Sequence, residues 1–100
     1  MRTESLNRLI GKAEEAADGL KALAHPIRLL AICHIGEKER TVGELEANLG
    51  TTQSNLSQHL AKLRDKGILV TRKDGNQVHY RLGDRKLLNL VQAMQALYCE

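Results

Sequence analysis

Apolar residues recur every three or four positions across residues 4–23, at Leu6, Leu9, Ile10, Ala13, Ala16, Ala17, Leu20 and Leu23. That is the stripe of an amphipathic helix, and the face it must bury against lies elsewhere. Pro26, the only proline, precedes the apolar run of residues 27–35, which suits a proline in the first turn of a second helix, with Gly36 as its stop. Beyond the charged loop 37–40, Thr41 is placed to cap a short third helix. Glu44 stands at the reciprocal capping-box position, and Leu45 and Leu49 share one face. Gly50 then supplies a turn. Thr51 or Thr52 caps a fourth helix that runs through Leu56, Leu60 and Leu63 to about Lys66, with Gly67 as its stop.

The period changes after Gly67. Residues 68–73 and 77–82 read as strands on either side of Asp74, Gly75 and Asn76, the turn chemistry of a hairpin. A final helix over residues 84–98, capped by Asp84, puts Leu87, Leu88, Val91, Met94, Leu97 and Tyr98 on one side. No internal repeat, low-complexity stretch or linker interrupts the chain. The expected order is ααααββα: a mainly α fold with a small β-hairpin, forming one domain over residues 1–100.

At 100 residues, 42% hydrophobic and 27% charged, the chain has the composition of a small globular domain, too short to enclose a large active site. A domain of this size buries only about two thirds of its unfolded surface, so a helical chain with a long apolar stripe is expected to complete its core by dimerising. The longest apolar stretch, residues 27–35, is broken by Arg28 and His34 and falls far short of the roughly 20 residues that span a bilayer. The first residues lack the apolar core of a secretory signal, so the expected compartment is the cytoplasm. There, two cysteines, Cys33 and Cys99, are too few for a structural zinc module and out of place as a permanent disulfide, which leaves them inert or redox-active.

Charge is unevenly spread. Residues 1–50 carry 7 basic and 8 acidic groups, whereas residues 51–82 carry 6 basic and 2 acidic ones. The second segment therefore holds +4 in a chain whose net charge is +3, a surface suited either to a polyanion or simply to solvent. The fourth helix narrows the choice. Its leucines form a buried stripe, while Thr52, Gln53, Ser54, Asn55, Ser57, Gln58 and His59 crowd its first two turns. Short hydroxyls and amides donate and accept at once, so they suit phosphates at a helix N-terminus and base edges in the major groove. Gln53, Ser54, Ser57 and Gln58 are the base-edge candidates. Thr52 is an N-cap or a phosphate contact, and His59 a contact or a packing residue. Arg72, Lys73 and Gln77, around the hairpin, suit the sugar-phosphate backbone or the minor groove. With no Trp or Phe and only Tyr80 and Tyr98, the chain lacks the stacking platform of a single-strand or RNA binder, so duplex DNA is the better target. A short helix, a glycine turn, a polar-faced helix and a basic hairpin together make the pattern of a winged helix-turn-helix.

The sequence resembles the ArsR/SmtB family of bacterial dimeric repressors over nearly its whole length. The resemblance is carried by LKALAHPIRL at residues 20–29, VGEL at 42–45, SNLSQHLAKL at 54–63, GIL at 67–69 and VHYRL at 78–82. It implies a homodimer joined through the first and last helices, with two recognition helices entering successive major grooves of a palindromic operator. The family's metal ligands do not carry over. The arsenic and cadmium type has thiolates around the segment that here reads Thr41 to Leu45, which holds no cysteine. The zinc type uses last-helix positions that here read Asp84, Lys86, Leu97 and Glu100, lacking two nitrogen ligands and placing a cation at Lys86.

What does carry over is the cysteine pair. Cys33 on the second helix and Cys99 near the C-terminus match the branch that includes HlyU, BigR and SqrR. By that resemblance they form a dithiol switch, in which reactive sulfur species or oxidants create a disulfide or polysulfide bridge that weakens operator binding. Spacing alone favours Cys33, between Ile32 and Ile35 on an apolar helix, as an inert core thiol. Two alternatives stay open: a metal-responsive repressor with a non-standard site, and a winged-helix module used only for protein contacts. A thiol enzyme is not supported, because there is no CxxC motif and no substrate cradle beside either cysteine. No catalytic residue, metal site or cofactor is expected.

Overall fold

The structure is a computed structural model that describes residues 3–98, with the side chain of Tyr98 left out. In chain order the elements are α1 (Thr3–Leu23), α2 (Pro26–Ile35), β1 (Arg40–Thr41), α3 (Val42–Leu49), α4 (Gln53–Asp65), β2 (Leu69–Asp74), β3 (Gln77–Leu82) and α5 (Arg85–Tyr98). The five helices and the hairpin stand where the sequence puts them. The addition is β1, two residues that pair with β3 through Arg40 opposite Tyr80 and Thr41 opposite His79. The hairpin is therefore part of a three-stranded antiparallel sheet of order β1-β3-β2. Two residues beside a charged loop carry no period that could announce a strand, and their partner lies far along the chain.

Local chemistry explains the helix ends. At α3, Thr41 Oγ1 accepts from the Glu44 N–H at 3.2 Å while Glu44 Oε1 accepts from the Thr41 N–H at 2.9 Å, so the capping box is complete. The Thr41 N–H, and after it the Thr41 hydroxyl, which donates to the same Oε1 at 3.2 Å, hold the Glu44 carboxyl below the ordinary carboxylate range. At α4 the N-cap is Thr52, whose Oγ1 accepts from the Asn55 N–H at 3.1 Å, and Thr51 instead accepts from the Asn55 side-chain amide. Between α3 and α4, Gly50 takes the left-handed conformation at φ 66° and ψ 25°, which turns the chain sharply without side-chain strain. Before α2 the cap is His25, whose Nδ1 accepts from the Ile27 N–H at 3.1 Å.

The core gathers the apolar faces of α2, α3, α4 and the inner face of the sheet. Ala31, Ile32, Leu45, Leu56, Leu60 and Leu63 are fully enclosed, and Leu23, Ile35, Ile68, Leu69 and Val91 nearly so. Tyr80, Leu82 and Cys33 pack against this cluster from its margin. The last helix contributes Leu88 and Val91, whereas Leu97, expected on the same side, is exposed. The first helix contributes only its last turn, through Ala22 and Leu23. The radius of gyration, 15.3 Å, exceeds the roughly 13 Å of a compact 100-residue domain because so much of α1 stands clear of the core.

One close approach joins the sheet to the end of α4. Gly83 donates its N–H to the Ile68 carbonyl at 2.9 Å. A Cβ at this position would stand 2.8 Å from the Gly67 carbonyl oxygen and 3.0 Å from Val70 Cγ1. Backbone oxygen cannot swing aside as a flexible side chain can. Gly83→Ala is therefore expected to cost about 1–3 kcal/mol, seen as a fall of several degrees in the thermal midpoint at fixed protein concentration; an unchanged midpoint would contradict the close approach.

Candidate nucleic-acid interface

The buried stripe of α4 decides what its other face can do. With Leu56, Leu60 and Leu63 at 0% exposure, Thr52, Gln53, Ser54, Asn55, Ser57 and Gln58 are left exposed on the first two turns. Thr52 has its hydroxyl engaged as the cap. Gln53, Ser54, Ser57 and Gln58 form the polar face, and at the other end of the helix Lys62, Arg64 and Lys66 add exposed cations. Lys66 pairs with Asp18 of α1 at 3.2 Å.

His59 departs from this group. It is half-buried, and its ring turns back toward α2, where Nδ1 accepts from Arg28 Nε at 3.1 Å and the His25 ring lies 4.1 Å away between centroids. Burial first, then the charges of His25, Arg28 and Lys62, push its pKa below the ordinary value of 6.5. Of the two roles open to His59 in the sequence, packing is the one these contacts support.

The hairpin presents Arg72, Lys73 and Gln77, all exposed, with Lys73 opposite Val78 and Asp74 opposite Gln77 across the ladder. Alternation puts Arg72, His79 and Arg81 on one face of the sheet. Arg72 is not idle there. Its Nε and Nη2 donate to the Glu39 carboxylate at 2.8–3.1 Å, and Nη1 lies 3.8 Å from Asp74. The Arg72 hydrogen bond holds Glu39 below the ordinary carboxylate range, and Glu39 in turn raises the Arg72 pKa. To meet a phosphate, Arg72 would exchange one anion for another. Sequence reasoning missed Glu39, His25 and Arg28 because their partners across the fold, Arg72 and His59, lie 31 to 34 residues away and meet them only once α2, α4 and the sheet have packed.

Cys33 lies half-buried on α2, against the core cluster. Cys99 and Glu100 lie outside the described residues. Among the described residues, no three His, Cys, Asp or Glu side chains are grouped to hold a metal ion. None of the described helices is long and apolar enough to cross a membrane.

A helix, a glycine turn and a second helix with a polar outward face, followed by a hairpin that carries arginine and lysine, define a winged helix-turn-helix regulator of transcription. Comparison with known proteins gives the family. Residues 25–70 match the model of the bacterial regulatory proteins of the arsR family. The chain is 46% identical over 88 residues to the biofilm growth-associated repressor of Agrobacterium fabrum, covering 88% of this chain and 75% of that one. It is 41% identical over 81 residues to the transcriptional activator HlyU of Vibrio cholerae, covering 81% and 75%. Among solved structures it is similar to reduced HlyU from Vibrio cholerae, with a TM-score of 0.87 at 36% identity over 93% of this chain and 98% of that one. It is similar also to the repressor BigR from Xylella fastidiosa, with a TM-score of 0.84 at 41% identity over 100% and 99%. The chain belongs to the ArsR family of DNA-binding transcriptional regulators.

The His59 environment yields a pH prediction. An imidazole with a lower pKa in the folded chain binds fewer protons there than in the unfolded chain, so its contribution is complete above about pH 6.5 and lost as pH falls through the folded value. The thermal midpoint is expected to drop from pH 7.5 to 5.5, and His59→Gln to flatten that drop. An identical pH slope in the variant would show that His59 is not the group responsible.

Proposed function

We propose that this chain is a dimeric repressor of the ArsR type, acting in the cytoplasm, whose affinity for a palindromic duplex operator falls when persulfides or oxidants join Cys33 to Cys99. The observation that carries the DNA reading is the outward polar face of α4, with Gln53, Ser54, Ser57 and Gln58 exposed above three fully buried leucines. These four side chains read base edges, Thr52 and the helix N-terminus meet a phosphate, and Arg72, Lys73 and Gln77 follow the backbone beside the minor groove.

The dimer reading is supported by α1. Leu6, Leu9, Ile10 and Leu20 are 46–51% exposed, and Leu90 and Leu97 of α5 are exposed as well. Between the two helices runs a groove of about 850 Å³ lined in part by Ala16, Leu20, Leu87 and Leu90. A second copy covering these faces would set the two recognition helices about 34 Å apart, one turn of DNA.

The thiol switch is supported by the match to HlyU and BigR and by the packing of α5, whose sequence leads into Cys99, against α2, which carries Cys33. In a reducing compartment both thiols start reduced. The Cys33 thiolate attacks the outer sulfur of an organic persulfide, RSSH, giving Cys33–SSH and releasing RSH. Cys99 then displaces the terminal sulfur as hydrogen sulfide, leaving the Cys33–Cys99 disulfide. The net conversion is two protein thiols plus RSSH to one disulfide plus RSH and hydrogen sulfide.

Two measurements test the proposal, both on the tightest duplex that the reduced protein selects from a random library. Persulfide treatment is expected to lower affinity about 5- to 150-fold, with a mass loss of two hydrogens, and Cys33→Ser to bind normally but not respond; an unaltered response in that variant would remove the switch. Gln58→Ala is expected to lower discrimination between the selected duplex and others, whereas Arg72→Ala weakens all duplexes evenly and reduces the salt slope by about one. Affinity that does not change with salt would instead favour a protein-contact module.

A further inference from the structure

Arg28 stands where three helices meet. It lies in the first turn of α2, half-buried, and its guanidinium makes two contacts with other helices. Nη1 donates to the Ala22 carbonyl in the last turn of α1 at 3.0 Å, and Nε donates to His59 Nδ1 within α4 at 3.1 Å. The His25 ring leans on the His59 ring from the cap of α2, tilted by 39°. Nothing in the polar face of α4 requires this arrangement, and Arg28 takes no part in that face.

The leucine stripe of α4 fixes how deeply the helix sits, but apolar contact is non-directional and tolerates some rotation and sliding. A guanidinium is a rigid planar fork whose donors point along fixed directions. Holding one acceptor on α1 and another on α4, it sets the rotation of α4 about its own axis. His59 directly follows Ser57 and Gln58 in the sequence, and each helical step turns the side chain by a fixed angle. Pinning the His59 ring inward therefore aims Ser57 and Gln58 outward.

We propose that Arg28 is a positioning residue that sets the rotation of the recognition helix, and hence sequence discrimination, without touching DNA. The inference rests on the reading of α4 as the base-reading helix. Base-edge hydrogen bonds are short and directional, whereas lysine and arginine reach phosphates on flexible stems. A small rotation of α4 thus removes discrimination and spares non-specific binding.

The test compares the selected duplex with a shuffled duplex of the same length and composition, for the wild type, Arg28→Ala, His59→Leu and His59→Gln. Arg28→Ala and His59→Leu are expected to lose about tenfold or more of the affinity ratio, the size of one lost base contact, with affinity for the shuffled duplex within about twofold of the wild type. His59→Gln, whose amide oxygen can still accept from Arg28, is expected to keep the ratio within about threefold. Parallel loss on both duplexes would mean that Arg28 serves stability only, and an unchanged ratio in Arg28→Ala would equally overturn the proposal. Should Arg28→Ala fail to fold, the contrast between His59→Leu and His59→Gln decides. A wild type with no preference for its selected duplex would instead overturn the base-reading role of α4, and the role of Arg28 with it.

Discussion

Leu56, Leu60 and Leu63 are withdrawn completely from water, and most of what the protein presents to its surroundings follows from where they go. Burying a leucine is worth about 1.5–3 kcal/mol, so three on one helix overwhelm any preference that the polar residues between them have for another orientation. Once this stripe is seated against α2, α3 and β2, the amides and hydroxyls of the first two turns have nowhere to go but outward. The surface of α4 is in this sense a by-product of its buried side. The capping hydrogen bonds at Thr41 and Thr52 then fix where α3 and α4 begin, and Gly50 fixes the angle between them.

A second constraint comes from size. A chain of 100 residues, with five helices and a three-stranded sheet among the described residues, has too little interior to cover all of its apolar surface. The deficit is concentrated in α1, which buries only Ala22 and Leu23 and leaves a line of leucine and isoleucine half-exposed. In the proposed dimer the same helix that completes the core also fixes the spacing of the two reading surfaces, so folding, assembly and operator geometry become one problem. Arg28 links the end of that helix to α4 through the Ala22 carbonyl and His59.

Much of this was legible in the sequence because the decisive forces are local or periodic. The leucine spacing of α4, the capping box at Thr41 and Glu44, the proline that opens α2 and the alternation of the hairpin each act within a few residues, and each appears in the structure. Long-range side-chain pairing was not legible. The fork from Arg72 to Glu39, the bond from Arg28 to His59 and the pairing of β1 with β3 join residues 31 to 40 positions apart, and no local pattern marks them. For the same reason the sequence leaves His59 open between a contact and a packing role, and only its partners Arg28 and His25, far along the chain, turn its ring inward. Periodicity puts Leu97 on the same side of α5 as Leu88 and Val91, but a shared side is not shared burial, and Leu97 is exposed where those two are enclosed.

The strand order has a consequence of another kind. In a sheet of order β1-β3-β2, the outer edge of β2 has no neighbouring strand among the described residues, and its backbone N–H and C=O groups are open to template a strand from another molecule. The residues along that edge include Arg72, Lys73 and Asp74, charged and exposed, and edge-to-edge docking of two copies would have to strip water from all of them. Charge along this edge therefore also guards the hairpin against aggregation, which matters for a protein whose helix α1 leaves a line of apolar side chains half-exposed. Neutralising the wing would therefore alter solubility as well as the proposed contact with DNA.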